Sequence, residues 1–215
     1  MNIKESFEKY LRILFQDLTR IDSLFELSIH IDNYRSNRLK ELNIAPSFFS
    51  LVLDSFFHTT VISLARLYDS YKIINRSDKN LIRFMNFTEQ NIKLFPKDDH
   101  TIKKFNIIHP VSLTSINKYR KSVQEVTPIL DKLFDWRDKY FAHYDNKFFL
   151  NENLLETKYG LVIGDIRKLI RLAAEILNHF SIGYNGVANA VRTANLYDID
   201  SVIEILHKHL STKRT

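Results

Sequence analysis

Arg137 and His143 stand six residues apart in the run Arg-Asp-Lys-Tyr-Phe-Ala-His-Tyr-Asp at 137–145, and the two residue types suit work on a phosphodiester. A guanidinium is charged at any ordinary pH and meets a phosphate with parallel N–H donors. An imidazole is the common side chain that exchanges a proton near neutrality. The pair is therefore a phosphate clamp beside a proton shuttle. The competing reading is structural, because an Arg and a His on one helix often belong to the surface or to a packed, hydrogen-bonded arrangement.

The helix that should carry them adds a constraint. Val126, Leu130, Leu133 and Phe134, then Tyr140, Phe141 and Tyr144, follow the three-and-four spacing of a core-facing stripe, and Arg137 falls on that stripe. A guanidinium there must snorkel, pair with a carboxylate or reach into a shared cleft, since leaving it buried and unpaired costs several kcal/mol. Six residues turn an ideal helix by about 240°, so Arg137 and His143 do not share a face unless the helix ends, bends or is completed by another subunit. The same-face neighbours of His143 are Lys139 and Trp136.

The string RDKYFAHYD resembles the Arg-x(4–6)-His signature of the HEPN superfamily, and its flanking Asp-Lys and Ala-His-x-Asp are similar to the abortive-infection AbiU-type branch. ISLARLYD at 62–69 and SDKNLIRFM at 77–85 resemble the helix that precedes the motif in that branch. The resemblance covers about residues 45–185. It implies an all-α fold, a homodimer, and a metal-independent ribonuclease of a toxin or phage-defence system, with RNA as substrate, an antitoxin protein as a further partner and no cofactor or metal. Arg137 and His143 would be catalytic. Asp138, Lys139, Tyr144, Asp145, Arg66 and Asp69 would support them, with Asp69 orienting Arg137 or Arg66 adding a second cation; the bland alternative for these two is an exposed ion pair. The superfamily also contains members that bind a nucleotide, RNA or protein without cutting, and that is the second reading. A tyrosine two residues past the motif His is modified in members governed by a nucleotidyltransferase antitoxin. Here that place is Asp145, with Tyr144 beside His143, so that regulation is not carried over.

Composition sets the frame. The 215 residues are 45% hydrophobic and 26% charged, enough for one sizeable core. Four Gly and four Pro favour long helices over a sheet with many tight turns. With zero Cys there is no disulfide framework, thiolate metal site or cysteine nucleophile. A formal charge of +6 suits a polyanionic partner but is common among proteins that never meet one. Without a signal-peptide pattern or an apolar run near the ~20 residues needed to cross a bilayer, a cytoplasmic protein with no membrane partner is expected.

Periodicity predicts helices over about 3–31, from Ser47 to about 72, a short one after a Ser77 or Asp78 cap, another from Thr88, one from about Ser115 to 143 kinked at Pro128, one from Asp165 through Phe180 ended by Gly183 and Gly186, and one over about 198–210. Residues 96–112 read as a loop or insert, with Asp98 and Asp99 solvated. The expectation is a single all-α domain over 1–215, an up-and-down bundle with additional terminal helices. His207 and His209 lie on different helix faces with no carboxylate nearby in sequence to complete a zinc pattern. Asp54 and His58, one turn apart, read more simply as a hydrogen-bonded pair than as half a metal site. Nothing resembles a phosphate-cradling glycine loop.

Overall fold

Phe7, Leu11, Leu14, Leu18, Ile21 and Phe25 recur at helical spacing, and all are buried on one side of the first helix, α1 (Ile3–Asn33). The same logic holds along the computed structural model, which describes residues 2–69, 80–138, 160–192 and 195–212 and contains no strand among them. The remaining helices are α2 (Leu39–Leu42), α3 (Pro46–Leu67), α4 (Leu81–Gln90), α5 (Asp99–Lys104), α6 (Leu113–Glu125), α7 (Thr127–Asp135), α8 (Ile163–Asn185) and α9 (Asp198–Thr212), with short 3-10 turns at Tyr34–Ser36 and Ile92–Leu94. The fold is all-α, as the sequence implied.

Several boundaries differ from expectation, each for a local reason. α3 begins on Pro46, one residue before the predicted Ser47 cap, because proline's missing N–H costs nothing at a helix start. The cap of α4 is Asn80, whose side chain accepts from the Arg83 N–H, and not Ser77 or Asp78, which lie outside the described residues. Thr88 opens no new helix: it is buried inside α4 and its hydroxyl donates to the Phe84 carbonyl at 2.8 Å. Within the predicted 96–112 loop, Asp98 caps α5 by accepting from the Thr101 N–H at 2.8 Å, and bonds from Thr101 hold its carboxyl below the usual range. Ser112 and Ser115 form a capping box that starts α6 two residues early. α6 and α7 are separated by Val126 alone, since Pro128 cannot donate back into the preceding turn. Asp165 is the third residue of α8 and accepts from the Val162 N–H at 3.4 Å, so it completes the start from within.

Of the two glycines expected to end α8, only Gly186 does so. Gly183 stays inside the helix, where its missing Cβ admits Val111. Gly186 has φ +75°, and a Cβ there would lie 2.1 Å from the Phe105 carbonyl oxygen. Left-handed backbone and an overlap with main chain together predict that Gly186→Ala destabilises the protein by about 2–4 kcal/mol. A urea melt should show the midpoint falling with its slope unchanged; an unaltered midpoint would contradict the local geometry.

The expectation of no apolar run long enough for a bilayer needs correction. α3 has 22 residues and is long and apolar enough to cross a bilayer by length and composition, with 28% of its apolar window buried.

The chain divides into two compact units, Met1–Leu18 with Val61–Val191, and Thr19–Thr60 with Arg192–Thr215. The first is built on an aromatic centre. Phe7 stacks on Phe84 with ring centroids 5.5 Å apart, and Phe84 meets Phe180 edge-on at 5.4 Å. Leu64, Leu81, Ile116, Leu130, Leu169, Ile176 and Leu177 are fully buried around it. Polar ties fix the packing. The buried Tyr68 hydroxyl donates to the Leu169 carbonyl at 2.7 Å, and Arg120 of α6 grips Glu89 and Asn86 of α4. The second unit packs Ile31, Leu42, Phe49 and Ile203 together, with Leu27, Leu53, Phe56 and Leu206 against them.

Candidate functional site

The segment that presents Arg137 is set by the burial of α7. Leu130 and Leu133 are fully buried, and Lys132 reaches the first turn of α8, where its Nζ lies 3.3 Å from the Asp165 carboxylate. At 136–138 the helix widens to a π-type turn. Arg137 does not enter the core; its side chain is 27% exposed.

Three groups hold the guanidinium. Nε donates to Asp138 Oδ1 at 2.6 Å and Nη2 to Asp138 Oδ2 at 3.0 Å, a two-point pair with the adjacent residue. Nη1 lies 3.9 Å from Asp69 Oδ1, close enough for charge attraction and too far for a hydrogen bond. The Phe134 ring lies beneath, its centroid 4.6 Å from the guanidinium carbon. The three options open to an arginine on an apolar stripe thus resolve into pairing with carboxylates while half-emerging to solvent.

Asp69 comes from the turn that follows α3, where its N–H donates to the Arg66 carbonyl at 3.3 Å. Arg66 itself is turned elsewhere. Its Nη2 donates to Asp17 of α1 at 3.3 Å, and at 63% exposure this is a surface pair. The structure therefore gathers Arg137, Asp138 and Asp69 and directs Arg66 to Asp17. Lys139, His143, Tyr144 and Asp145 lie outside the described residues.

Chemically, the gathered groups are one cation and two carboxylates, and the cluster's own charge does not favour an anion. Two facts limit that objection. Among the described residues, hydrogen bonds occupy two of the five guanidinium donors, leaving both Nη1 hydrogens and one on Nη2. Asp138 is 50% exposed, so water can take over its bonds if a phosphate displaces it, at a cost of under about 1 kcal/mol.

Sequence spacing did not signal Asp17 or Asp165, which come from helices remote in the chain. Nor did it signal Glu41, which pairs with His207 from a remote part of the chain although Glu204 stands only three residues before it. Glu41 accepts from or faces His207 Nδ1 at 2.6 Å and is buried beside Arg38. No sequence cue short of the fold itself could have joined these pairs.

The chain matches the family description HEPN_AbiU2 (AbiU2) over residues 4–205. No curated protein and no solved structure matches it. A match across nearly the whole chain, on an all-α fold, leads to one conclusion: the chain belongs to the HEPN_AbiU2 family and is a HEPN-type module of the abortive-infection kind.

Proposed function

We propose that this chain is an endoribonuclease of a toxin or phage-defence system, acting in the cytoplasm and cutting RNA without a metal ion at a site that two copies build together. The observation that carries the reading is the state of Arg137: its side chain is 27% exposed just past the end of α7, and among the described residues hydrogen bonds occupy two of its five N–H donors. Family membership supports it further.

In this reading His143 withdraws the proton of a ribose 2′-hydroxyl, or protonates the departing 5′-oxygen, while Arg137 stabilises charge on the phosphate. The 2′-oxygen attacks phosphorus as the bond to the 5′-oxygen breaks. The product end is a 2′,3′-cyclic phosphate, and DNA, which lacks the 2′-hydroxyl, is spared. A second copy, related by a two-fold axis, is invoked because the resemblance to the family implies a homodimer whose motif segments meet in one cleft.

A second reading has an observation of its own. Asp138 already grips Arg137 at two points and Asp69 stands 3.9 Å away, which suits a module that binds a nucleotide, RNA or protein without cutting.

Incubating the purified chain with single-stranded RNA in EDTA tests the two. Cleavage with cyclic phosphate ends, intact DNA, and a dimer by light scattering at micromolar concentration are the expected results. Loss of cleavage in EDTA would refute the metal-free mechanism, and a strict monomer that still cuts would refute the composite site. RNA left whole, with or without metal, would favour the binding module.

A further inference from the structure

We propose that the second unit carries a binding site for a phosphate ester, in the cavity between the turn at residues 35–43 and the last turns of α9. It shares no residue with the Arg137 cluster and does not depend on the nuclease reading. The cavity is about 650 Å³, within the range of ordinary small-ligand pockets.

Its charge is what selects the ligand. Arg35, Arg38 and Lys40 line it, with His207 on the facing helix and one carboxylate, Glu41. That carboxylate is withdrawn from the space. Its side chain is 6% exposed, it lies 2.6 Å from His207 Nδ1, and Arg38 Nη1 is 3.6 Å away. The His207 bond is the main cause holding the Glu41 carboxyl below its usual range despite burial. The lining thus offers three cations against one withdrawn carboxylate, while Asp32 and Glu204 contact Arg35 and Arg38 from outside it.

The same contact fixes the imidazole. A ring held at Nδ1 by a buried carboxylate has its plane set, and Nε2, on the opposite side of the ring, can donate to an anion only in the imidazolium form. The His207 side chain is 45% exposed. Arg38 is poised likewise. Its contacts to Glu41 and to Glu204, at 3.6 and 3.7 Å, are electrostatic and leave its N–H groups open to a better acceptor. Arg35 pairs with Asp32 at the surface, with both side chains more than half exposed, and such a pair exchanges readily for a stronger partner. Asn37, Asn43 and Ser211 add neutral donors around the rim.

The neighbouring cavity of about 530 Å³ is a useful contrast within the same unit. It shares Arg38 but adds Asp200 and Glu204 against a single Lys208, so it has no comparable excess of positive charge. Asp200 there is consumed by the His30 and Tyr34 side chains, at 2.6 and 2.5 Å. The first cavity is the one suited to an anion with several acceptor oxygens, either a free nucleotide or a phosphate of an RNA chain.

Calorimetry on the full chain separates these sources, using inorganic phosphate, AMP and a short 2′-O-methyl oligoribonucleotide that cannot be cut by 2′-hydroxyl attack. Saturable binding of AMP, with the His207 Cε1 proton resonance moving in step and assigned through His207→Gln, marks a nucleotide site. Tighter binding of the oligonucleotide than of AMP marks a backbone site. In either case Arg35→Glu and Lys40→Glu should each weaken binding at least about fivefold, as expected for loss of a close charge contact. Lys103→Glu, exposed on α5 in the other unit, should leave it unchanged. Equal weakening by all three substitutions, or a His207 resonance that stays fixed through the titration, would overturn the proposal. Because no cleavage is measured, its failure and that of the nuclease reading are independent.

Discussion

His143→Ala should lower kcat/KM for RNA cleavage by about 10²- to 10⁴-fold, the usual contribution of a positioned acid or base. The size follows from what is lost. Without imidazole the 2′-hydroxyl must give its proton to water, and the 5′-oxygen must leave without one. Binding should change little, because the phosphate is gripped by cations and not by a neutral ring. Lys139→Ala should do the reverse, weakening RNA binding several-fold with a shallower salt dependence while leaving kcat near the parent value. Growth on induction offers the same comparison in cells. Unrestrained wild type should slow growth, and His143→Ala should relieve this more fully than Lys139→Ala. Purified wild-type protein that leaves structured and unstructured RNA whole, together with harmless expression, would end the nuclease reading. Equal kcat for His143→Ala and wild type would remove this residue from the chemistry.

What the sequence made legible was whatever repeats at helical spacing. The stripe from Phe7 to Phe25 announced α1, and Leu130 and Leu133 announced the buried face of α7. Caps were less legible, because Ser, Thr, Asn and Asp compete for the role within a few residues. Asn80 took it where Ser77 or Asp78 was expected, and the buried hydroxyl of Thr88 found an acceptor within its own helix. The candidate site was legible as residue types and not as an arrangement. Arg137 and Asp69 are 68 residues apart, and only the packing of the first unit brings Nη1 to 3.9 Å from that carboxylate. The partial exposure of Arg137 was hidden for a different reason: the stripe argument assumes 3.6-residue periodicity, and the backbone at 136–138 is π-type. Asp138 is a supporting residue by resemblance, yet sequence adjacency gives no sign that it takes two of the guanidinium donors.

Arg137→Ala separates a scaffold role for this residue from a phosphate clamp, since only the clamp predicts a large loss of kcat in a folded protein. As a purely structural group Arg137 has little to lose. Its pair with Asp138 involves a half-exposed carboxylate and is worth under about 1 kcal/mol after solvent screening, and its contact with the Phe134 ring about 0.5–1 kcal/mol more. The variant should therefore unfold within about 2 kcal/mol of the parent in a urea melt. As a phosphate clamp it has far more to lose, since removing one preorganised charge-stabilising donor costs about 10²- to 10³-fold in kcat. The expected result is such a loss of cleavage in a protein that stays folded and dimeric. Arg137→Lys should recover only part of it, because an ammonium keeps the charge without the planar pair of donors. Asp138→Asn should cost less than about tenfold, since an amide oxygen still accepts from Nε and preserves the orientation of the guanidinium. Cleavage within threefold of wild type in a folded Arg137→Ala protein would assign this residue to the scaffold, and with it the carboxylates that hold it.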